Sequence, residues 1–215
     1  MGMDITMNEP PTAAEVREAK LDADNPSYFR FNWGGMRVMV TTMVAAGAVV
    51  EGDKRPALPT WPPAGTAKER KDILGEALGD PSLEVKLTPP EQIRVRAARR
   101  TRNLLLTTHS AKRGKVPAFK YLSNEGWIVA GDECAVVATQ LRGYAARMTQ
   151  ADVDQLDREY RAAQKNLIDA TRREGEVTVF GDQGLGMTLM EYKAWMWEWA
   201  TFNAIAAKHG GYRVE

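Results

Sequence analysis

Residues 188–206 read TLMEYKAWMWEWATFNAIA, and this stretch has the pattern of a long buried helix. It begins with Thr188 followed by Glu191, the Thr-x-x-Glu signature whose two side chains satisfy free backbone N–H groups at a helix start. Its large apolar residues recur every three or four positions, at Tyr192, Trp195, Trp199, Phe202 and Ala206. Such a stripe favours packing against a neighbouring helix, so the stretch predicts a core built mainly from helices.

The same start signature, with Glu or Asp as the acid, occurs at four more places. The five pairs are Thr12/Glu15, Thr66/Glu69, Thr88/Glu91, Thr149/Asp152 and Thr188/Glu191. Together with the apolar periodicity, they predict seven helices, at about residues 12–23, 34–46, 66–78, 89–108, 131–147, 150–173 and 188–208.

Short stretches with strand character lie between the helices. They are Ser27–Trp33, Val116–Leu122, Trp127–Val129, Val177–Phe180 and Tyr212–Val214. Ser123–Gly126 separates two of them, which predicts a hairpin with Gly126 at positive φ. The predicted fold class is therefore α+β: helix-dominated, about seven helices with a small, mostly antiparallel sheet of three to five short strands.

Length and composition predict a single domain. The chain has 215 residues, of which 44% are hydrophobic, enough to fill one core. We expect a flexible N-terminus at residues 1–10 and one α+β domain at 11–215, with a proline-rich surface loop at 51–65. The longest uncharged apolar-rich run, Val38–Val50, is 13 residues, too short to cross a membrane. With one cysteine, Cys134, and no signal-peptide pattern, the sequence predicts a cytoplasmic protein.

The near-zero net charge hides a strongly basic block. Residues 92–124 contain nine cations and no Asp or Glu, whereas the other 182 residues contain 20 cations and 28 anions. Such a block needs anionic partners, either elsewhere in the chain or outside it.

The basic block covers the helix from Pro89 and the loop after it. One helix face, expected to be the core side, has Ile93, Ala97, Thr101, Leu104 and Thr108. The opposite side and the loop supply the predicted anion- or partner-binding residues, which are Arg96, Arg99, Arg100, Arg102, Lys112, Arg113 and Lys115. The ligand would be an acidic protein partner, or nucleic acid held by sequence-independent phosphate contacts. Alternatively, the 150–173 helix neutralises these cations with Asp152, Asp154, Asp157, Glu159 and Asp169.

Trp197 lies on the side of its helix opposite the aromatic stripe. A tryptophan there fills a second packing layer or contacts a partner, and we include it among the candidate partner-binding residues.

The sequence gives little support to enzyme classes. Cys134, His109 and His209 have no spacing typical of a catalytic or metal site, so no catalytic residue, metal or cofactor is predicted. The glycine-rich stretch at 181–186 lacks the spacing of a phosphate-binding loop and is interpreted as a flexible connection. An enzyme of unrecognised type remains an alternative.

Three short motifs occur together: KVPAFK at 115–120, SNEGW at 123–127 followed by DEC at 132–134, and GGYRV at 210–214. In this combination the chain resembles an uncharacterised protein family of actinobacteria and their phages, with an S-N-x-G-W hairpin, a helix that starts with E-C, and a C-terminal G-G-[FY]-x-V. The resemblance covers roughly residues 115–147 and 192–214 and implies no activity. The combined expectation is a phage-encoded, non-catalytic intracellular binding or regulatory protein that acts through the cationic helix and loop.

Overall fold

The computed structural model describes residues 2–173 and 186–215. The chain divides into two compact units, Met1–Asp53 with His109–Glu215 (unit 1) and Lys54–Thr108 (unit 2). Each unit has its own cluster of buried apolar side chains. The sequence predicted one domain over residues 11–215, whereas unit 2 begins inside the proline-rich segment 51–65.

The fold is helix-dominated α+β, as the sequence predicted. Its helices are α1 (Ala13–Ala19), α2 (Trp33–Ala45), α3 (Lys68–Gly79), α4 (Pro89–Leu106), α5 (Gly131–Arg147), α6 (Gln150–Arg173) and α7 (Leu189–Ala206). Its strands are β1 (Gly2–Met7), β2 (Tyr28–Asn32), β3 (Val49–Val50), β4 (Val116–Pro117), β5 (Trp127–Val129) and β6 (Tyr212–Val214). The predicted strand at 177–180 and nearly all of the glycine-rich stretch at 181–186 lie outside the described residues. Among the helices that are described, none has the length and apolarity needed to cross a bilayer.

Threonine and an acid three residues later start four of the helices, as predicted. The Glu191 carboxylate, for example, accepts hydrogen bonds from the backbone N–H and the hydroxyl of Thr188, both at 2.8 Å. Thr12, Thr88 and Thr149 bond to Glu15, Glu91 and Asp152 in the same way. The prediction for Thr66 was wrong, because its hydroxyl donates to the Pro63 carbonyl and α3 begins two residues later, at Lys68.

The main sheet of unit 1 has the antiparallel order β2-β1-β6-β5. β1 lies inside this sheet, so the prediction of a flexible N-terminus at residues 1–10 was wrong. Met3 and Ile5 are wholly buried and Met7 nearly so, since alternate residues of β1 face the core. β1 pairs Ile5 with Phe29 of β2 and with Val214 of β6, so hydrogen bonds hold it on both sides.

The SNEGW segment does not form the predicted hairpin. Gly126 has the expected positive φ of 80°, but β5 pairs with β6, and β4 pairs in parallel with β3. Residues Ala118–Tyr121 form a 3-10 helix, and Pro117 has no backbone N–H to donate, so no strand faces β5 from this side. The described strands of unit 1 therefore form two separate sheets.

The aromatic residues of α7 form the centre of the unit 1 core. Trp199 is wholly buried, and its ring centroid lies 5.1 Å from those of Phe29 and Phe31 and 5.6 Å from that of Tyr212. α7 packs along α5, and the tyrosines Tyr121 and Tyr212 join their hydroxyls at 2.8 Å. The aromatic stripe of α7 thus packs against the main sheet, through residues of β2 and β6.

Unit 2 consists of α3, a 3-10 helix at Pro81–Lys86, and α4. Its apolar cluster is small, with Leu74, Ala77, Leu87 and Val95 buried and Trp61 packed against them. Trp61 comes from the proline-rich segment and donates from its indole nitrogen to the Leu74 carbonyl at 2.7 Å. A core of this size buries little apolar surface, so unit 2 has less hydrophobic stabilisation than unit 1.

Candidate functional site

The face of α4 that was predicted to be buried is exposed. Val95 and Leu106 are buried, whereas Ile93 and Leu104, the expected core residues, are 69% and 73% exposed. Ala97 and Thr101 of the same predicted core face are exposed as well. The prediction failed because it assigned the arginine side of the helix to solvent, and the structure uses part of that side internally.

Arg99 is the arginine that turns inward. Its guanidinium donates to the carbonyls of Ala77 and Leu78, which lie in the last turn of α3. The final carbonyls of a helix have no partner within that helix, so Arg99 closes the end of α3. Its side chain is only 19% exposed.

Glu84 holds two of the predicted binding arginines. Its oxygens lie 2.6 Å from Arg96 Nε and 2.5 Å from Arg99 Nη1. Hydrogen bonds from Arg96 and then Arg99 hold the pKa of Glu84 below its ordinary value. Arg96 is still 64% exposed, so this ion pair lies at the edge of the unit.

A second ion pair stabilises the start of α4. Arg70 of α3 donates to both oxygens of Glu91, at 3.0 and 2.6 Å. The bond from Arg70, followed by the cap bonds from Thr88, lowers the pKa of Glu91 to about 2. This two-point geometry fixes α4 against α3.

The carboxylates that neutralise α4 differ from those considered in the sequence analysis. Glu84 comes from the 3-10 helix, whereas acids of α6 bond within their own helix or to its cap. Asp152 accepts hydrogen bonds from Thr149, Asp154 from Gln150, Asp157 from Arg161, and Glu159 from Gln155. The side chain of Asp169 lies outside the described residues.

The remaining α4 cations differ in their availability. Arg100 is exposed and forms no ion pair with any described residue. Arg102 is partly buried and has an internal interaction. Ile93, Ala97, Arg100 and Leu104 are all exposed and succeed one another by three or four positions, so they lie in line. We call these four residues the outer face of α4.

The loop half of the predicted surface belongs to unit 1. Lys112 and Arg113 are exposed and form no ion pair within the described chain, while Lys115 donates to the Gly47 carbonyl. With His109 and the first turn of α5, these residues line a cleft of about 360 Å³. We call it the loop cleft. The predicted continuous helix-and-loop surface thus divides between the two units.

A network of charged and polar side chains that sequence reasoning missed extends inward from the loop cleft, where His109 and Glu133 are lining residues. Lys120 is wholly buried and lies 2.6 Å from a Glu133 oxygen, and His109 Nδ1 lies 3.3 Å from the other oxygen. Burial lowers the pKa of Lys120, against the opposing effect of Glu133. These three residues come from separate segments, so no sequence spacing could indicate them.

Trp197 is 45% exposed and does not belong to the central core. The guanidinium of Arg142 lies 5.6 Å from its ring centroid, a cation–π contact. Trp197 lines a groove of about 520 Å³ with Ala194 and Thr201 of α7 and with residues 19–22, 26, 28 and 29. Its predicted role as a partner contact stays a prediction.

Cys134 is buried in the first turn of α5, and burial raises the pKa of its thiol well above the ordinary value. A thiol in that state is a packing residue rather than a nucleophile. Within the described ranges, no cluster of three or more His, Cys, Asp or Glu side chains could hold a metal.

Comparison with known proteins adds no relative to this picture. No family model matches the chain, and neither curated proteins nor solved structures show significant similarity to it. Function is therefore inferred from the geometry of the outer face and of the loop cleft.

Proposed function

We propose that the protein is a non-catalytic binding protein whose outer face of α4 docks on an acidic protein partner. The observation that carries the proposal is the exposure of Ile93 and Leu104 on one side of a helix, with Arg100 between them. Single exposed apolar residues are common on protein surfaces. Two that lie in line with an unpaired arginine resemble the anchors of a helix that binds in a groove.

The composition of the outer face favours a protein over nucleic acid. Phosphate contacts need unpaired cations, and Glu84 already engages Arg96 and Arg99. Ile93 and Leu104 would gain nothing from a phosphate backbone, whereas an apolar pocket would remove both from water. An acidic rim around that pocket would pair with Arg100.

Nucleic acid remains the second candidate, because Arg94 and Arg100 are both exposed and neither forms an ion pair with a described residue. Binding of this kind would weaken steeply as salt is raised.

We also propose that the protein acts in the cytoplasm and is phage-encoded, as a member of the actinobacterial and phage family that it resembles. Support comes from the packing of the three motifs in unit 1. Trp127 of SNEGW pairs with Val214 of GGYRV, and the DEC turn follows directly after β5.

The test is photo-crosslinking from position 97, in the middle of the outer face. A crosslinker replaces Ala97, and the adducts formed in host lysate are identified by mass spectrometry. We expect acidic proteins, with adducts lost in the double variant Ile93→Asn, Leu104→Asn and reduced in Arg100→Glu. Val85→Asn is the matched control, since Val85 is 84% exposed but lies outside α4.

Two results would contradict the proposal. Adducts that survive the double variant would show that the apolar anchors are not used. A gel shift with random duplex, weakened by Arg100→Glu but unchanged by the double variant, would favour nucleic acid instead.

A further inference from the structure

We propose that the loop cleft binds a phosphate group, either inorganic phosphate or the head of a small phosphate monoester, between the imidazole ring of His109 and the side chains of Lys112 and Arg113. This site is separate from the outer face of α4 and does not depend on the function proposed there.

The first argument concerns an unsatisfied carboxylate oxygen. Glu133 is only 4% exposed, and its Oε2 accepts from Lys120 at 2.6 Å and from the Ala130 N–H at 2.9 Å. Its Oε1 is buried and accepts no hydrogen bond, although His109 Nδ1 lies 3.3 Å away. A buried acceptor without a donor is costly, and an N–H on His109 Nδ1 is the donor in reach.

A protonated imidazole has an N–H on each ring nitrogen. If Nδ1–H serves Glu133, the N–H on Nε2 remains for a second acceptor. The His109 side chain is 55% exposed and lines the cleft, so that acceptor can come from solvent. The arrangement therefore places the His109 ring between a buried carboxylate and whatever occupies the cleft.

The charges around His109 favour an anion as that occupant. The charged groups that line the cleft are Lys112, Arg113 and Lys115 of the loop and Asp132 and Glu133 of α5. Lys120 pairs with Glu133, which leaves one lining carboxylate, that of Asp132, against three loop cations. A bound anion offsets this excess.

The loop is held in shape before any ligand arrives. The Lys112 N–H donates to the Ser110 hydroxyl at 3.0 Å, and that hydroxyl donates to Asp53. Lys115 is fixed on the Gly47 carbonyl, while the Lys112 and Arg113 side chains have no polar partner among the described residues. The fixed backbone reduces the ordering cost of binding, so that only the two cationic side chains have to be ordered.

The size and charge of the cleft limit the ligand. A volume of about 360 Å³ is at the lower end of the range for small-molecule sites. The carboxylate of Asp132 lies at the same site and repels additional phosphates. Both features favour one tetrahedral dianion on a small carrier over a polyphosphate or a nucleic acid backbone.

The test follows the two histidine rings of the intact protein by NMR during titration with inorganic phosphate and, separately, with glycerol 3-phosphate. The chain has only two histidines, so His209, which lies 2.9 Å from Glu15 in another part of unit 1, is the internal control. We expect saturable movement of the His109 signals alone, with a dissociation constant of about 1 mM or tighter. A monoester that binds more tightly than inorganic phosphate would identify the carrier as part of the ligand. Equal affinities would identify the free anion.

Matched variants separate the cleft from general surface charge. The double variant Lys112→Ala, Arg113→Ala should weaken binding by about tenfold or more. Arg94→Ala, Arg100→Ala also removes two exposed cations and should leave binding unchanged. Neither pair engages a described carboxylate, so both variants are expected to fold.

Replacement of the histidine gives a readout that a general loss of surface charge would not produce. Sulfate, a tetrahedral dianion like the proposed ligand, is the probe for this arm. His109→Gln should weaken sulfate binding while it keeps the Lys120–Glu133 pair. Three results would each overturn the proposal: no saturable binding, an unmoved His109 ring, or loss of binding in the α4 variant but not in the loop variant.

Discussion

At the scale of single residues, Glu84 connects the segments of unit 2. It accepts from Arg96 and Arg99, and Arg99 in turn satisfies carbonyls at the end of α3. Removal of Glu84 would leave the largely buried Arg99 without its carboxylate, which costs more than the pair itself contributes. The arginine cluster of α4 is therefore in part a structural device.

The depressed pKa of Glu84 predicts acid sensitivity in unit 2. A carboxyl whose pKa is lower in the folded state stabilises the fold above its ordinary value of 4.5, and this stability is lost as pH falls through the folded pKa. Glu84→Gln should reduce the protection of α3 and α4 amides at neutral pH and flatten its dependence on pH. Hydrogen exchange with mass spectrometry measures this. Glu76→Gln is the control, and an equal effect there would contradict the role of Glu84.

Gly211 is a residue where the backbone leaves no room for a side chain. Its φ is 91°, and a Cβ would overlap the Val129 carbonyl oxygen and lie 2.9 Å from the Ala130 carbonyl carbon. Gly52 has a similar φ of 87° but open space around it. Gly211→Ala should therefore cost about 1–3 kcal/mol more than Gly52→Ala, because only the former adds a clash to the backbone strain. Urea unfolding measures both, and equal costs would show that β5 and β6 can move apart.

At the scale of elements, α4 shows how an amphipathic pattern can mislead. Ile93, Ala97, Leu104 and the two threonines look like a core stripe, yet Val95 and Leu106 are the buried residues. Interactions with α3 determine the orientation of α4: Arg99 donates to the last carbonyls of α3, and Val95 packs with Leu74 and Ala77. The apolar periodicity of α4 alone contains no information on these contacts.

The orientation of α4 can be checked by truncation on each face. Ile93→Ala should change the free energy of unfolding by less than about 0.5 kcal/mol, because the side chain is already in water. Val95→Ala should cost about 1–3 kcal/mol, since Val95 is wholly buried in a small core. Thermal unfolding followed by far-UV circular dichroism compares them. The reverse order would restore the face expected from the sequence.

At the scale of the whole molecule, local signals in the sequence predicted the helices well and long-range ones poorly. Thr-x-x-Glu pairs and apolar periodicity are complete within a few residues, so four of the five predicted starts are confirmed. β1 was missed because its six residues form a strand through pairing with residues near 30 and 213, which are distant in the sequence. The loop cleft was missed for the same reason, since His109, Lys120 and Glu133 meet only in the fold.

Unit 2 is an insertion between two neighbouring points of unit 1. Ser110 donates to Asp53, and β3 pairs with β4 through Val49 and Val116. Replacement of residues 54–108 by a short Gly/Ser linker should therefore leave unit 1 folded, because its apolar cluster includes no residue of the insertion. The ¹H–¹⁵N spectrum should retain the unit 1 signals of the full chain. Collapse of their dispersion would show that unit 1 needs the insertion.

The position of β1 has a consequence for synthesis on the ribosome. β1 bonds to β2 soon after it in the chain and to β6 near residue 214, and Asp4 and Glu215 exchange two backbone hydrogen bonds at 2.7 Å. Until β6 leaves the exit tunnel, one edge of β1 and the side chains of Met3 and Ile5 stay open to solvent. Nascent chains with an open strand edge are prone to aggregate. The emergence of β6 therefore sets the time at which this edge is protected from misassembly.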